Sequence, residues 1–396
     1  MWLSLVRWGV GAWFLKCALK ALRAQVKRLE SDKVRVEVEY WPTATHAMIG
    51  GSSYLTFAGC DYLGLSHDPA LLAAFGAGLQ RFGLGANGSR ETSGNTLTHE
   101  RLERALAAFM QTEAAVLCPD GALANLASCQ WLALRYRVAF VERRAHASLN
   151  AAARAAGFAI ETFEQTDLGA LEQRLRSLGR HGLVVTDTVF AADGAQAPLR
   201  ALAELARANE SGLLLDDCHG LGVFGDGGRG SFADLGAPTG DVLITATLAK
   251  AFGCAGGICA GTAAAVEGIR AHAWAYRGTT PVAPAMAAAA LTVVERLAHD
   301  TTLLERLRAN IRALRVWFVQ LGLSLPAEDC PIFAFCPSDA ERVARLQAGL
   351  QRAQIWIPYV DYPGTAFPQY FRLALNAAHT QAEIQRLGQV LAECLA

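Results

Sequence analysis

Lys250 stands shortly past an apolar run, Val242 to Ala246, in the segment Thr247-Leu248-Ala249-Lys250-Ala251-Phe252-Gly253, with further glycines at 256 and 257. An amine turned inward at a strand end loses hydration, which disfavours its ammonium form and frees a nucleophile able to condense with a carbonyl. Taken alone, a lysine in such a place is more often a solvated charge. A second apolar run, Leu213-Leu214-Leu215, ends in Asp216-Asp217-Cys218-His219-Gly220. Two carboxylates and an imidazole directly after a fully apolar strand need compensation. A cationic ring nitrogen would supply it, and so would the N–H groups of a following helix that the pair caps.

Three weaker signals accompany these. Val116-Leu117-Cys118-Pro119-Asp120-Gly121-Ala122-Leu123-Ala124-Asn125 reads as a strand, a sharp turn and a small-residue helix start, so the amides of Gly121 and Ala122 suit a phosphate. His146 follows a strand expected at 138–141, where an imidazole could stack on a flat ring or serve only its loop. Arg372, inside the apolar stretch Phe371-Arg372-Leu373, suits a bidentate grip on a substrate carboxylate or a structural ion pair. No P-loop, glycosidase carboxylate pair, zinc-ligand spacing or G-x-S-x-G elbow occurs, and no metal site is expected. An anchoring lysine, an acid for a ring nitrogen, a stacking imidazole and a phosphate cradle together are what pyridoxal 5′-phosphate (PLP) requires of a protein.

The elements that must position these residues follow from the hydrophobic pattern. From about residue 54 to 265, short apolar runs alternate with amphipathic helical segments, the βαβ rhythm of an open, mostly parallel sheet. Strands are expected at Ala114 to Cys118, Val138 to Val141, Gly182 to Thr186, Gly212 to Leu215, Val242 to Ala246 and Gly257 to Ala260, and helices at His99 to Phe109 and Leu199 to Ala208. In such sheets ligands bind beyond the carboxyl ends of the strands, where the residues above lie. From Pro284 an Ala/Leu-rich helical stretch leads to a smaller α+β lobe with strands at Ile332 to Phe335, Gln354 to Pro358 and Tyr370 to Leu375. The expected organisation is an N-terminal segment (1–53), a large cofactor-binding domain (54–283) and a small domain (284–396).

Composition is that of a globular chain: of 396 residues, 52% are hydrophobic and 18% charged, enough for a large core. Thirty-six basic residues balance 36 acidic ones, so no global field favours nucleic acid and any anion site is local. The ten cysteines are scattered without a C-x-x-C pair, which predicts reduced thiols in a cytoplasmic protein. Lys16, Lys20, Arg23 and Lys27 share one helical face, so residues 1–30 predict a basic amphipathic helix, packed on its own protein or contacting a membrane surface. No secretory signal is expected there.

Taken in order, these segments resemble the α-oxoamine synthases, fold-type I PLP-dependent transferases that include 8-amino-7-oxononanoate synthase, 2-amino-3-ketobutyrate ligase, 5-aminolevulinate synthase and serine palmitoyltransferase. The likeness runs from about Tyr54 to His379. It rests on Asp61-Tyr62-Leu63-Gly64-Leu65, Gly88-Ser89-Arg90 with Ser93-Gly94 and His99, His146-Ala147-Ser148, Val189-Phe190 with Asp193-Gly194, the Asp216 to Gly220 segment with Gly228-Arg229-Gly230, and Lys250. It implies that Lys250 carries PLP as a Schiff base, Asp216 pairs with the pyridine nitrogen and His146 stacks on the ring. It further implies that His219 and Thr247 bind cofactor oxygens, Gly121 and Ala122 offer amides to the phosphate, and Arg372 holds the amino-acid carboxylate. Thr279 and Thr280 would reach the phosphate of a neighbouring subunit in a homodimer.

The implied reaction is a decarboxylating condensation of a small amino acid with an acyl-CoA or acyl-carrier-protein thioester to give an α-amino ketone. The Asp-Tyr-Leu-Gly-Leu-Ser-His stretch and compact length make 8-amino-7-oxononanoate synthase the nearest named likeness. Alternatives are a serine palmitoyltransferase-like enzyme at a membrane surface, or a catalytically weakened partner subunit of the same fold. Four positions depart from the family pattern: Cys60 in place of Asn, Asp120 in place of Ser beside the phosphate cradle, Asp187 in place of Glu, and Ala191 in place of a serine that reaches the cofactor's phenolic oxygen.

Overall fold

The computed structural model describes residues 36–363, 365 and 367–396. The basic helix expected in residues 1–30 lies outside them.

A three-stranded antiparallel meander opens the described chain: β1 (Tyr40–Thr43), β2 (His46–Ile49) and β3 (Ser52–Thr56). The central sheet follows, from β4 (Ala114–Cys118), β5 (Val138–Glu142), β6 (Ala159–Phe163), β7 (Gly182–Asp187), β8 (Gly212–Asp216), β9 (Val242–Thr247) and β10 (Gly257–Gly261). Its order is β4-β10-β9-β8-β7-β5-β6. All neighbours are parallel except β10, which runs antiparallel to both β4 and β9. The sheet is thus mostly parallel, as expected of a fold-type I transferase. Every residue of β7, β8 and β10 is buried, because helices cover both faces. One face packs on a cluster that includes Leu102, Leu171, Leu202 and Phe252, the other on Ala124, Cys129, Leu149 and Val266.

Five of the six expected strands in this sheet extend one residue further toward their carboxyl ends, reaching Glu142, Asp187, Asp216, Thr247 and Gly261. Four of these added residues are polar, so no apolar side chain announces them, yet they continue the ladder. Strand β6 was not expected at all. It is a partly exposed edge strand, Ala-Ile-Glu-Thr-Phe, with no apolar run to announce it.

In the C-terminal part, β11 (Ile332–Phe335), β12 (Ile355–Trp356), β13 (Tyr359–Val360) and β14 (Tyr370–Ala374) appear. The expected small-lobe strand at Gln354 to Pro358 needs correction. Only Ile355 and Trp356 are extended in a ladder, and they pair in parallel with Leu55 and Thr56 of β3, so that they join the N-terminal meander. The small sheet is β11-β14-β13, antiparallel throughout. Pro358, which has no N–H to donate, stands between β12 and β13. Helix Pro284–Leu297 packs against helices Pro69–Phe82 and Leu97–Met110.

Candidate active site

The carboxyl ends of β4, β7, β8 and β9 open on the same edge of the sheet, and the amino end of β10 returns there. Asp216, the last residue of β8, is 3% exposed. Its Oδ2 accepts from Asn125 Nδ2 at 2.7 Å and its Oδ1 from the Cys218 amide at 2.9 Å. Asn125 comes from the start of the second turn of helix Gly121–Leu132. Its carbonyl accepts from Thr245 Oγ1 at 2.5 Å, and its amide also donates to Ser148 Oγ at 3.1 Å. The buried carboxylate is therefore oriented by neutral donors, with no arginine, lysine or histidine salt bridge to it among the described residues.

The neighbouring acid does a different job. Asp217 accepts from the Thr188 hydroxyl and from the Ser231 amide at 3.1 Å, tying the glycine-rich loop to the sheet. Burial pushes its pKa up to about 7, against the opposing pull of these donors. Neither acid caps a helix, since the chain turns after Asp217 and enters no helix until Asp226–Gly228.

Lys250 lies in the short connection between β9 and β10. Three backbone bonds close that turn: Leu248 N–H to Gly256 O, Gly253 N–H to Lys250 O and Cys254 N–H to Leu248 O, each 2.9 Å. Gly253 adopts φ +62°, and a Cβ there would come within 2.5 Å of the Ser66 nitrogen, so only glycine lets the turn sit against that backbone. The half-buried lysine is close enough for its charge to be felt by His146, Asp187, Cys218 and His219. Thr247 serves this turn as well. Its hydroxyl donates to Gly256 O at 3.0 Å and accepts from the Ala249 amide at 3.2 Å.

His146 caps helix Ala147–Ala155, with Nδ1 3.2 Å from the Ser148 amide nitrogen and 2.7 Å from the Ser148 hydroxyl. Its backbone N–H donates to Asp187 Oδ2 at 2.7 Å. Partial burial lowers its pKa; Asp216 opposes this and Lys250 adds to it. Asp187, one of the four departures, thus holds the loop that carries His146. Burial and the charge of Asp216 raise its pKa well above the usual carboxylate range. His219 is buried, and its Nδ1 lies 2.7 Å from the Tyr62 hydroxyl. Burial, assisted by the charges of Lys250 and Arg372, drives its pKa well below that of a free imidazole.

At the phosphate end, the Gly121 and Ala122 amides begin helix Gly121–Leu132 and donate to no described group. Asp120 caps the same helix by accepting from the Leu123 amide at 2.8 Å. The aspartate therefore satisfies an amide of the helix while keeping its negative charge beside the cradle. A Cβ at Gly257 would fall 2.0 Å from Asp120 O, so β10 approaches this turn as closely as backbone allows.

Arg372 of β14 donates from Nε to the Ala191 carbonyl at 2.7 Å, and its Nη2 lies 3.8 Å from Cys60 Sγ. No carboxylate among the described residues pairs with it, which leaves guanidinium donors for a ligand. Ala191 contributes its carbonyl to this arginine and has no hydroxyl to offer a cofactor. Thr279 and Thr280 follow helix Trp274–Arg277. The Thr279 hydroxyl donates to Ala275 O at 2.7 Å, Thr280 is exposed, and no hydrogen bond links either to the residues above.

The structure therefore brings Lys250, Asp216, His146, His219 and Arg372 around one cleft, with Gly121, Ala122 and Thr247 at its edge. Sequence reasoning gave no role to Asn125, Ser148 and Tyr62. The usable signal was an amide one helical turn inside a phosphate-type helix start, and a tyrosine in an otherwise apolar motif. The residues present fit PLP: a buried carboxylate lacking a cation, two unclaimed amides at a helix N-terminus and a reachable amine are complementary to its pyridinium, phosphate and aldehyde.

The aminotransferase class I and II family model matches residues 53–391. An 8-amino-7-oxononanoate synthase of Nitrosomonas eutropha is 35% identical over 357 residues, covering 88% of this chain and 92% of that protein. The same-named enzyme of Thioalkalivibrio sulfidiphilus is 36% identical over 351 residues, covering 87% and 89%. Among solved structures, the serine palmitoyltransferase of S. paucimobilis with a bound PLP–myriocin aldimine is 27% identical with a TM-score of 0.85, covering 95% of this chain and 96% of that one.

Proposed function

The chain belongs to the aminotransferase class I and II family, within its α-oxoamine synthase branch, and from that premise we propose that it condenses alanine with a pimeloyl thioester in the manner of the 8-amino-7-oxononanoate synthases. It is a PLP-dependent acyltransferase joining a small amino acid to an acyl thioester with loss of carbon dioxide. The observation that carries the site reading is the buried Asp216 carboxylate, oriented by Asn125 and the Cys218 amide, in the same cleft as Lys250.

When bound, PLP supplies an electron sink that accepts the charge left on the substrate α-carbon. Lys250 would hold it through its side-chain amine, and the same amine would take the substrate's α-proton. Asp216 would keep the ring nitrogen protonated. Gly121 and Ala122 would donate amides to the phosphate. Arg372 would orient the amino-acid carboxylate through the donors not used by Ala191, Cys60 and Tyr62, and His146, mounted on the Asp187-bonded loop, would cover the ring and donate to the developing enolate oxygen. A cavity of ≈ 320 Å³ lined in part by Trp41, Ala58, Cys60, Tyr62 and Ala249, the residue before Lys250, would offer space for part of the acyl chain. The thioester carrier would be coenzyme A or an acyl carrier protein.

Thr280 is exposed and Thr279 half-buried, and the reading extends to a homodimer in which these threonines reach the partner's phosphate site. A membrane-surface enzyme of the serine palmitoyltransferase kind rests on residues 1–30. No described helix is long and apolar enough to cross a bilayer. The joint presence of Lys250, Asp216, His219 and His146 in one cleft speaks against a weakened partner subunit.

The test is borohydride reduction of the PLP-loaded protein followed by peptide mapping, with absorbance titrations by glycine, alanine and serine. The pyridoxyl mass is expected on the peptide containing Lys250, with alanine giving the spectral change. Label elsewhere would reject the site, and a response to serine alone would favour the palmitoyltransferase reading.

A further inference from the structure

We propose that Tyr62 is a positioning residue that fixes His219 as the Nε2–H tautomer, so that the imidazole presents a donor rather than an acceptor to the cofactor cleft. This rests on the placement of His219 beside the cofactor in the preceding reading and adds to it a residue and a direction of hydrogen bonding.

The geometry begins with burial. Tyr62 is 1% exposed and His219 5%, and their rings lie 6.0 Å apart with a 2.7 Å contact between the phenolic oxygen and Nδ1. A neutral imidazole has one N–H, and whichever partner the other nitrogen meets decides where that proton sits. Two arrangements satisfy the contact: the phenol donates to a bare Nδ1, or Nδ1–H donates to the phenolic oxygen.

The surroundings distinguish them. The charges that bear on His219 are Lys250, Arg372 and His146, all cationic or neutral, and burial keeps the ring itself uncharged. The Cys60 sulfur and Arg372 also bear on the Tyr62 phenol; the sulfur is a weak acceptor and competes poorly with Nδ1 at 2.7 Å. A guanidinium has donors only, so it favours the oxygen end of the phenol dipole turned toward itself and the hydrogen turned away, toward Nδ1. The phenol stays protonated, because burial raises its pKa well above that of free tyrosine. The resulting order is Arg372, then the Tyr62 oxygen, then the Tyr62 proton to His219 Nδ1, leaving the histidine proton on Nε2. Nε2 has no hydrogen-bond partner among the described residues, as suits a donor reserved for a ligand oxygen. The chain also links the arginine that would bind the substrate carboxylate to the histidine facing the cofactor.

The experiment is nitrogen-15 NMR of histidine-labelled protein without cofactor, with the His219 ring assigned by its loss in His219→Gln. In the unmutated protein, Nδ1 is expected to resonate as an unprotonated ring nitrogen and Nε2 as a protonated one. In Tyr62→Phe the Nδ1-bare population is expected to fall, with the other tautomer appearing. A protonated Nδ1 in the unmutated protein overturns the proposal even if the variant does not fold. An unchanged spectrum in a folded Tyr62→Phe overturns it equally. Because no cofactor is present, these outcomes are separate from the fate of the borohydride experiment, which tests the Lys250 site alone.

Discussion

The side-chain amide of Asn125 lies 2.7 Å from the Asp216 carboxylate, joining the second turn of a helix to the end of a strand 91 residues later in the chain. That contact makes the acid's orientation depend on the same helix whose first amides would take the cofactor's phosphate. The ring nitrogen and the phosphate are thereby set in one frame, so small shifts of the helix move both grips together.

Replacing Asn125 by alanine removes a donor from a buried acid and is expected to lower stability by about 1–3 kcal/mol. Asp216→Asn keeps the shape and removes the charge. It is expected to cut kcat/KM by roughly ten- to a hundredfold or more, the equivalent of one charge-assisted interaction of about 1.5–3 kcal/mol. Thermal melts and steady-state rates at saturating PLP check both, and full activity in Asp216→Asn would remove the acid from the mechanism.

Asp120 places a negative charge at the phosphate cradle. Asp120→Ser keeps a capping oxygen and removes the repulsion, so PLP affinity is expected to rise by about threefold to tenfold, in line with ~1 kcal/mol between a partly screened charge pair. Fluorescence titration of the cofactor-free protein measures this, and the gain should shrink as salt is added.

The pH dependence of stability should carry the mark of Asp217. Its folded pKa is raised to about 7 from 3.8, so between those values the native state binds a proton that the unfolded chain releases. Its contribution is therefore fully present below the lower value and is lost as pH rises toward 7. Asp217→Asn, which keeps an acceptor for the Thr188 hydroxyl, is expected to show a shallower fall of Tm between pH 5 and about 7 than the unmutated protein. Asp187, also raised, leaves a residual slope in the variant. Calorimetry across that range decides it, and identical slopes would show that Asp217 is ionised throughout.

Arg372→Lys would forfeit the fork that bonds Ala191 O while facing the cleft with its remaining donors. KM for the amino acid is expected to rise by roughly ten- to a hundredfold, with a smaller effect on the acyl thioester. Separate saturation curves for the two substrates test this, and an equal rise in both would place the arginine outside the carboxylate subsite.

Much of this was legible in the residues. The apolar runs marked the buried strands because a sheet covered on both faces must be apolar throughout, and Lys250, Asp216, His146 and Arg372 stood out at their ends. Edge strand β6 escaped because four of its five residues are exposed or half-buried. The pairing of Ile355 and Trp356 with Leu55 and Thr56 could not be read because register across 300 residues leaves no local trace. The division of labour between Asp216 and Asp217 was equally hidden: adjacent identical acids are separated only by which neighbours, Asn125 or Thr188 and Ser231, the fold brings to each.

The reversal of β10 has a mechanical outcome. The chain carrying Lys250 does not climb into a helix but doubles back at once into the sheet, anchored on both flanks by ladder bonds and wedged at Gly253 against Ser66. Such a clamped tether has little slack. When the amine lets go of one partner and reaches for another, the travel must come from the lysine's own four-carbon arm, while the peptide beneath it stays fixed.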